Sequence, residues 1–246
     1  MENSIERLNS PSPWPSPEYK ITVEVNIEQD IWNWWNSGQT KSYGEDWGKR
    51  IPEACRDKIV KRTQEQAHEF LLPRLEGWYM SININRKRIE AQSIFDMYSK
   101  VIFERMEKVT GRKICRKDFI CFLTTFCRGP YVERKGYIWL ITRRHENDYI
   151  ASFLHELLHF QTHTYWEKII KEKLAEEEFN NLKEALTVIL DEEFKDIMEC
   201  EDGGYKDHKA LRERILCQWK EDKNFDRLIE FGIKIYPEYR EQLRDE

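Results

Sequence analysis

The stretch 153–163, F-L-H-E-L-L-H-F-Q-T-H, permits few local structures, because its polar and apolar residues separate cleanly only on an α-helix. Ile150, Phe153, Leu154, Leu157 and Leu158 recur at three and four residues and share one face at about 100° per residue. Ser152, His155, Glu156, His159 and His163 fall on the opposite side, with Asn147 or Asp148 placed to cap the N-terminus. His155 and His159 therefore stand one turn apart, on the face the core does not use, with Glu156 beside them.

H-E-x-x-H on a helix is a zinc-binding pattern. Neutral imidazole binds zinc at roughly 2.0–2.1 Å, and a site of three protein ligands leaves a fourth position for a water whose pKa falls to about 7. Glu156 is then the general base, taking a proton from that water and passing it to a leaving amine. The competing reading is a helix whose polar face merely carries histidines; it predicts no metal and imidazoles that point apart.

Composition narrows the setting. The 246 residues are enough for a sizeable core, and the balance of 40 basic against 45 acidic side chains gives a net charge of −5. No basic block stands apart from acidic neighbours, so neither a nucleic-acid nor a membrane-surface partner is expected. Charged residues reach 35% and aromatics 13%, a balance that predicts a folded protein with solvated helices. Cys55, Cys115, Cys121, Cys127, Cys200 and Cys217 form no C-x-x-C pair and read as reduced structural residues. No apolar run approaches the roughly 18 residues of a membrane span, and 1–16 lacks the apolar region of a signal peptide, so cytoplasmic residence is the expectation.

Four segments follow along the chain. Residues 1–18, with prolines at 11, 13, 15 and 17, read as a flexible tail. Residues 19–77 read as an accessory segment: an alternating strand over 19–27, a tryptophan-rich stretch over 30–47 that caps the core or lines a cleft, and a helix over 53–72 ended by Pro73. Residues 78–200 read as the core, with strands at 78–85, 119–126 and 137–142, a helix at 90–109 and helical periodicity over 165–200. A short edge strand at 131–134, turned at Lys135-Gly136, is a place where an extended peptide can pair. Residues 201–246 read as a helical extension, broken from the core at Asp202-Gly203-Gly204, with helices at 207–219 and, short and before Pro237, at 225–231.

Two histidines leave a zinc ion short of a protein ligand. Glu184 is the leading candidate: it lies 184 − 159 = 25 residues past the second histidine and heads Ala185 to Leu190, which carry no charge. Glu184, Thr187 and Asp191 share the one polar stripe of that buried helix, and a carboxylate there needs a partner. Glu167, Glu172, Glu176, Glu177, Glu178, Glu192 and Glu193 compete with it. His163 comes too early to be a third ligand of the type that returns after a glycine turn, since Gln161-Thr162 stand where the turn would be. It falls one turn further along the same helix.

On H-E-x-x-H and a downstream helix bearing a glutamate, the stretch from 119 to 197 resembles the gluzincin metallopeptidases. The resemblance implies His155, His159 and Glu184 as Zn2+ ligands, Glu156 as catalytic base, and a peptide or protein substrate. It implies an α+β fold of zincin type: a small, partly antiparallel sheet, the H-E-x-x-H helix beneath it and a mostly helical C-terminal half. Gluzincins often carry N-E-x-x-D around the third ligand, whereas Lys183 precedes Glu184 here and Val188 stands in place of the aspartate. Asp191 or Thr187 is left to orient a histidine. A tyrosine or histidine from beyond the glutamate helix often steadies the oxyanion in this group, which makes Tyr205 and His208 candidates. The alternative to a peptidase is a latent or inactive zincin-type binding protein.

Overall fold

The computed structural model describes residues 19–143 and 148–242; the tail 1–18 and the cap expected at Asn147 lie outside them. In chain order, β1 (Lys20–Glu24) leads to α1 (Ile27–Gln39), the small hairpin β2 (Lys41–Ser42) and β3 (Glu45–Asp46), and a 3-10 turn at Trp47–Arg50. Then come α2 (Glu53–Ile59), α3 (Gln64–Ser81), α4 (Ile84–Thr110), β4 (Asp118–Thr124), β5 (Tyr131–Val132) and β6 (Tyr137–Ile141). The remainder is helical: α5 (Asp148–Tyr165), α6 (Glu167–Lys171), α7 (Glu176–Leu186), α8 (Leu190–Glu193), α9 (Lys209–Glu221) and α10 (Phe225–Gln242).

The class is α+β with a small mixed sheet of order β1-β4-β6-β5. β4 sits in the middle, parallel to both β1 and β6, which is why its residues are apolar along nearly the whole strand. Period-two alternation divides the sheet. Ile21, Val23, Phe119, Cys121, Leu123, Ile138 and Leu140 enter the main core, where Phe119 meets Phe153 and Phe160 of α5 and Phe103 of α4. Phe122, Tyr137 and Trp139 look the other way, where Phe122 packs against both other rings and Trp32 of α1 meets Trp139. β5 is the edge expected near 131–134, antiparallel to β6 with Tyr131 opposite Ile138.

Several expected boundaries move. The strand beginning at 19 stops at Glu24, because Asn26 caps α1 by accepting from the amides of Glu28 and Gln29. The tryptophan-rich stretch is largely that helix; Trp34 packs with Ile31, Ala67, Leu71 and Leu75 in a second apolar cluster between α1 and α3. No strand forms at 78–85. Trp78, Met80, Ile82 and Ile84 alternate only across a helix–helix junction, where α3 ends, left-handed Asn83 (φ 49°) turns the chain and α4 begins. Pro73 does not stop α3 and Pro237 does not stop α10: the buried faces Leu71/Leu75 and Ile235/Tyr236/Tyr239 carry the helices past the lost amides. The long helix expected over 165–200 is α6, α7, a 3-10 turn and α8 in succession. These folds back so that α7 lies against α5.

Residues 19–77 therefore contribute a strand to the main sheet, and α3 runs across the 77/78 position. Among the described residues no helix is long and apolar enough to cross a membrane.

Candidate metal centre

α5 buries Phe153, Leu154, Leu157 and Leu158 and turns His155, Glu156 and His159 toward a cleft. α7 brings Glu184 to the same place because Leu182, Ala185 and Leu186 are buried around it, leaving its carboxylate aimed at α5. His155 Nε2 lies 3.3 Å from Glu184 Oε2, and His159 Nε2 lies 3.2 Å from Glu184 Oε1. The imidazole rings stand edge to face with centroids 4.4 Å apart. One donor atom from each of His155, His159 and Glu184 falls within 4.8 Å of the others. The imidazoles thus converge, opposite to what a helix with incidental histidines predicts.

The surroundings hold this arrangement. His155 Nδ1 is 3.3 Å from Asp202 Oδ1, the carboxylate–histidine contact that fixes a metal-binding ring. Asp202 comes from the loop after α8, not from the Asp191/Thr187 stripe assigned to that task. Asp191 instead accepts from the Asp202 amide at 2.6 Å, and Thr187 Oγ1 donates to the Glu184 carbonyl at 2.7 Å. Arg212 of α9 pins the loop: it donates to the Asp202 carbonyl, lies 3.4 Å from Asp202 Oδ2 and donates to Thr187 Oγ1 at 2.8 Å. Left-handed Gly204 (φ 59°) rests on its guanidinium, and a Cβ there would come within 2.8 Å of it.

Lys183 is fully buried and donates to Glu184 Oε1 and to the Tyr131 hydroxyl, both at 3.0 Å. The Tyr131 hydroxyl is 2.9 Å from His163 Nε2, and His163 Nδ1 is 2.8 Å from Glu167 Oε2. His163 is thus no ligand, yet two intervening side chains connect it to Glu184. Of the competing glutamates, Glu167 pairs with His163 and Lys171, and Glu178 pairs with Arg240.

Burial and neighbouring charge separate the protonation states. Burial, aided by the nearby Glu184 and opposed by His155, pushes Glu156 up to about 7. Burial and then Lys183 bring His159 down to about 3. Burial opposes a charge on His155, but Asp202 and Glu184 outweigh it and hold this ring well above the usual histidine range. Burial likewise opposes charge on Glu184, and His159 and Lys183 outweigh that, holding the carboxyl well below its usual range.

Two buried polar groups lack satisfaction at the centre. Neither His159 nitrogen makes an aligned hydrogen bond, although Nε2 is close to Glu184, and Glu156 Oε2 has no partner. Leaving such a group unmatched costs about 1–3 kcal/mol, so a native site that does so calls for a ligand. Two nitrogens and a carboxylate suit zinc.

The cleft is ≈ 650 Å³, and Tyr205 lines it with Tyr43, Trp47, Arg128, Trp139 and the metal-centre residues. His208 does not line it; this ring is buried behind, with Nε2 3.2 Å from Asn181 Oδ1. Tyr43 packs tilted against Tyr205, with ring centroids 4.6 Å apart, and faces Glu184, whose charge joins burial in raising its phenol. Asp202, Lys183, Tyr43 and Arg128 are the cleft residues of this candidate site that sequence reasoning missed. Lys183 alone left a signal, as a charge at the border of an uncharged helical run.

Comparison of the chain with protein-family models, with curated proteins and with solved structures returns no match.

Proposed function

We propose that this chain is a zinc-dependent peptidase of zincin type, similar to the gluzincins in its ligand set. The observation that carries the reading is the convergence of His155 Nε2, His159 Nε2 and the Glu184 carboxylate beside Glu156 in an open cleft. His155, His159 and Glu184 hold the ion, with Asp202 orienting His155. Zinc supplies Lewis acidity, polarising a carbonyl oxygen and acidifying water near neutral pH. Glu156 accepts the proton of the attacking water and returns it to the leaving nitrogen. Its metal-free value near 7 suits both tasks, and a cation among its neighbours draws it toward the carboxylate form needed at the start. Tyr205 lines the cleft, and in this reading its hydroxyl donates to the developing oxyanion. Peptides are the substrate class by resemblance to the gluzincins, and the β5 edge offers them a backbone partner.

Zinc content after purification without added metal, together with E156Q, tests this reading. The expected result is about one zinc per chain, retained in E156Q, with peptide hydrolysis abolished in that variant. An active E156Q protein removes the mechanism, and a metal-free, metal-indifferent chain removes the site.

One contact favours a second reading. Tyr43, from the β2–β3 hairpin, faces Glu184 across the cleft, and a phenol held there favours a latent zincin-type binding protein. Y43F separates the two: released activity supports latency, and unchanged activity discards it.

A further inference from the structure

The loop between β4 and β5 presents a cation that the metal centre does not use. The loop is pinned. Asp30 accepts from the Thr125 amide at 3.0 Å and from its hydroxyl at 2.8 Å, and Asn33 Nδ2 donates to the Arg128 carbonyl at 2.8 Å. At Gly129 the neighbouring strand comes so close that a Cβ would lie 2.4 Å from the Trp139 carbonyl oxygen. Arg128 is therefore offered from a backbone with little freedom to move.

Its side chain lines the cleft, with the guanidinium carbon 5.7 Å from the ring centre of Trp47 and with Glu156, Tyr43 and Tyr205 as its electrostatic neighbours. Arg128 Nη1 is buried without a hydrogen-bond partner. Among the described residues no carboxylate stands within ion-pair distance of it; Glu184 is taken by Lys183 and Asp202 by Arg212. Lys183, which also lines the cleft, is satisfied by Glu184 and Tyr131. Arg128 as a whole is half-buried, and a guanidinium nitrogen withdrawn from water without a counter-ion or acceptor is costly. Its planar fork matches a carboxylate through two parallel hydrogen bonds.

We infer that Arg128 binds the terminal carboxylate of a peptide, so that the cleft takes C-terminal residues and the chain trims peptides from that end. Carboxylate binding stands on Arg128 alone, whereas the trimming step rests on the peptidase reading above. Trp47, Trp139 and Ile141 give the cleft apolar walls for the last side chain.

Calorimetric titration of chelator-treated, metal-free protein with N-acetyl-L-phenylalanine and with N-acetyl-L-phenylalaninamide tests the binding without any turnover. The acid is expected to bind at least about tenfold more tightly than the amide, a difference lost in R128M and in R128Q, which keeps polarity should R128M fold poorly. Equal affinities in the unaltered chain, no measurable binding of the acid, or an acid preference that survives either substitution overturns the inference. In zinc-loaded protein, a peptide with a free C-terminus is expected to be cleaved in preference to its C-terminal amide, and equal or reversed preference overturns the trimming assignment. A chain that hydrolyses neither yet keeps the Arg128-dependent acid preference has lost the peptidase reading while the carboxylate site stands.

Discussion

The Nδ1 atom of His155 lies 3.3 Å from Oδ1 of Asp202, joining the first histidine of the H-E-x-x-H helix to a loop that is neither helix nor strand. The contact occupies one nitrogen of His155 and leaves the other to face a different partner. With Nδ1 turned to Asp202, Nε2 faces Glu184 and the cleft.

Loss of this orienting carboxylate is expected to weaken zinc without emptying the site. D202N should cost about 10–100-fold in zinc affinity, as outer carboxylate partners do elsewhere. Competition against a chelator of known affinity measures it. Unchanged affinity would show that the ring is held by its packing alone.

Removal of Glu184 acts on stability as well as on metal. E184A strands Lys183, which is fully buried and has only the Tyr131 hydroxyl left. The metal-free variant should lose about 3 kcal/mol or more in urea unfolding, besides losing zinc affinity. E184Q, which still offers Lys183 an acceptor, should lose less. Equal stability of E184A and the unaltered chain would mean that Lys183 reaches water when its partner goes.

Asp191 gives a pH signature away from the ligands. Burial raises it to about 6, against an ordinary value of 3.8, although the Asp202 amide pulls the other way. A raised carboxyl holds its proton longer in the folded state, so its contribution is fully present below about 4 and is lost as pH rises through about 6. The stability of the native chain should fall across that window relative to D191N, whose profile should be flatter. Denaturant midpoints from pH 4 to 7 test the sign, and parallel profiles would remove the assignment.

Asp30 is a buried tie between α1, α3 and the end of β4. It accepts from the Thr124 hydroxyl at 2.6 Å, the Thr125 hydroxyl and amide, and the Tyr79 hydroxyl at 3.1 Å. D30A leaves these donors without it and opens a cavity, for an expected loss of about 3 kcal/mol. Thermal unfolding measures this. Because the same tie pins the Arg128 loop, D30A should also reduce cleft function, and a destabilised variant with full function would uncouple the two.

How much was legible before folding varies by element. The α5 helix and its converging histidines could be read because period 3.6 is a local property of consecutive residues. Glu184 could be read because a lone carboxylate at the head of an uncharged helical run demands a partner. The strands at 119–126 and 137–142 were legible through their length and apolarity. The supposed strand at 78–85 was not real, since four alternating residues fit a helix junction equally well. Pro73 and Pro237 misled because buried faces on both sides outweighed one lost hydrogen bond each.

Asp202 was read only as a chain break beside two glycines, and nothing near it in the chain marks it as a partner for His155. Its place depends on Arg212, which arrives from α9 and clamps the loop. Arg128 and Tyr43 reach the cleft in the same way, from a loop pinned by α1 and from a two-residue-strand hairpin. Local periodicity thus sufficed to set His155, Glu156 and His159 together on the polar face of one helix. The residues that surround them come from separate elements, and only packing brings those elements together, because side chains without a shared helix or strand carry no common period to reveal their meeting.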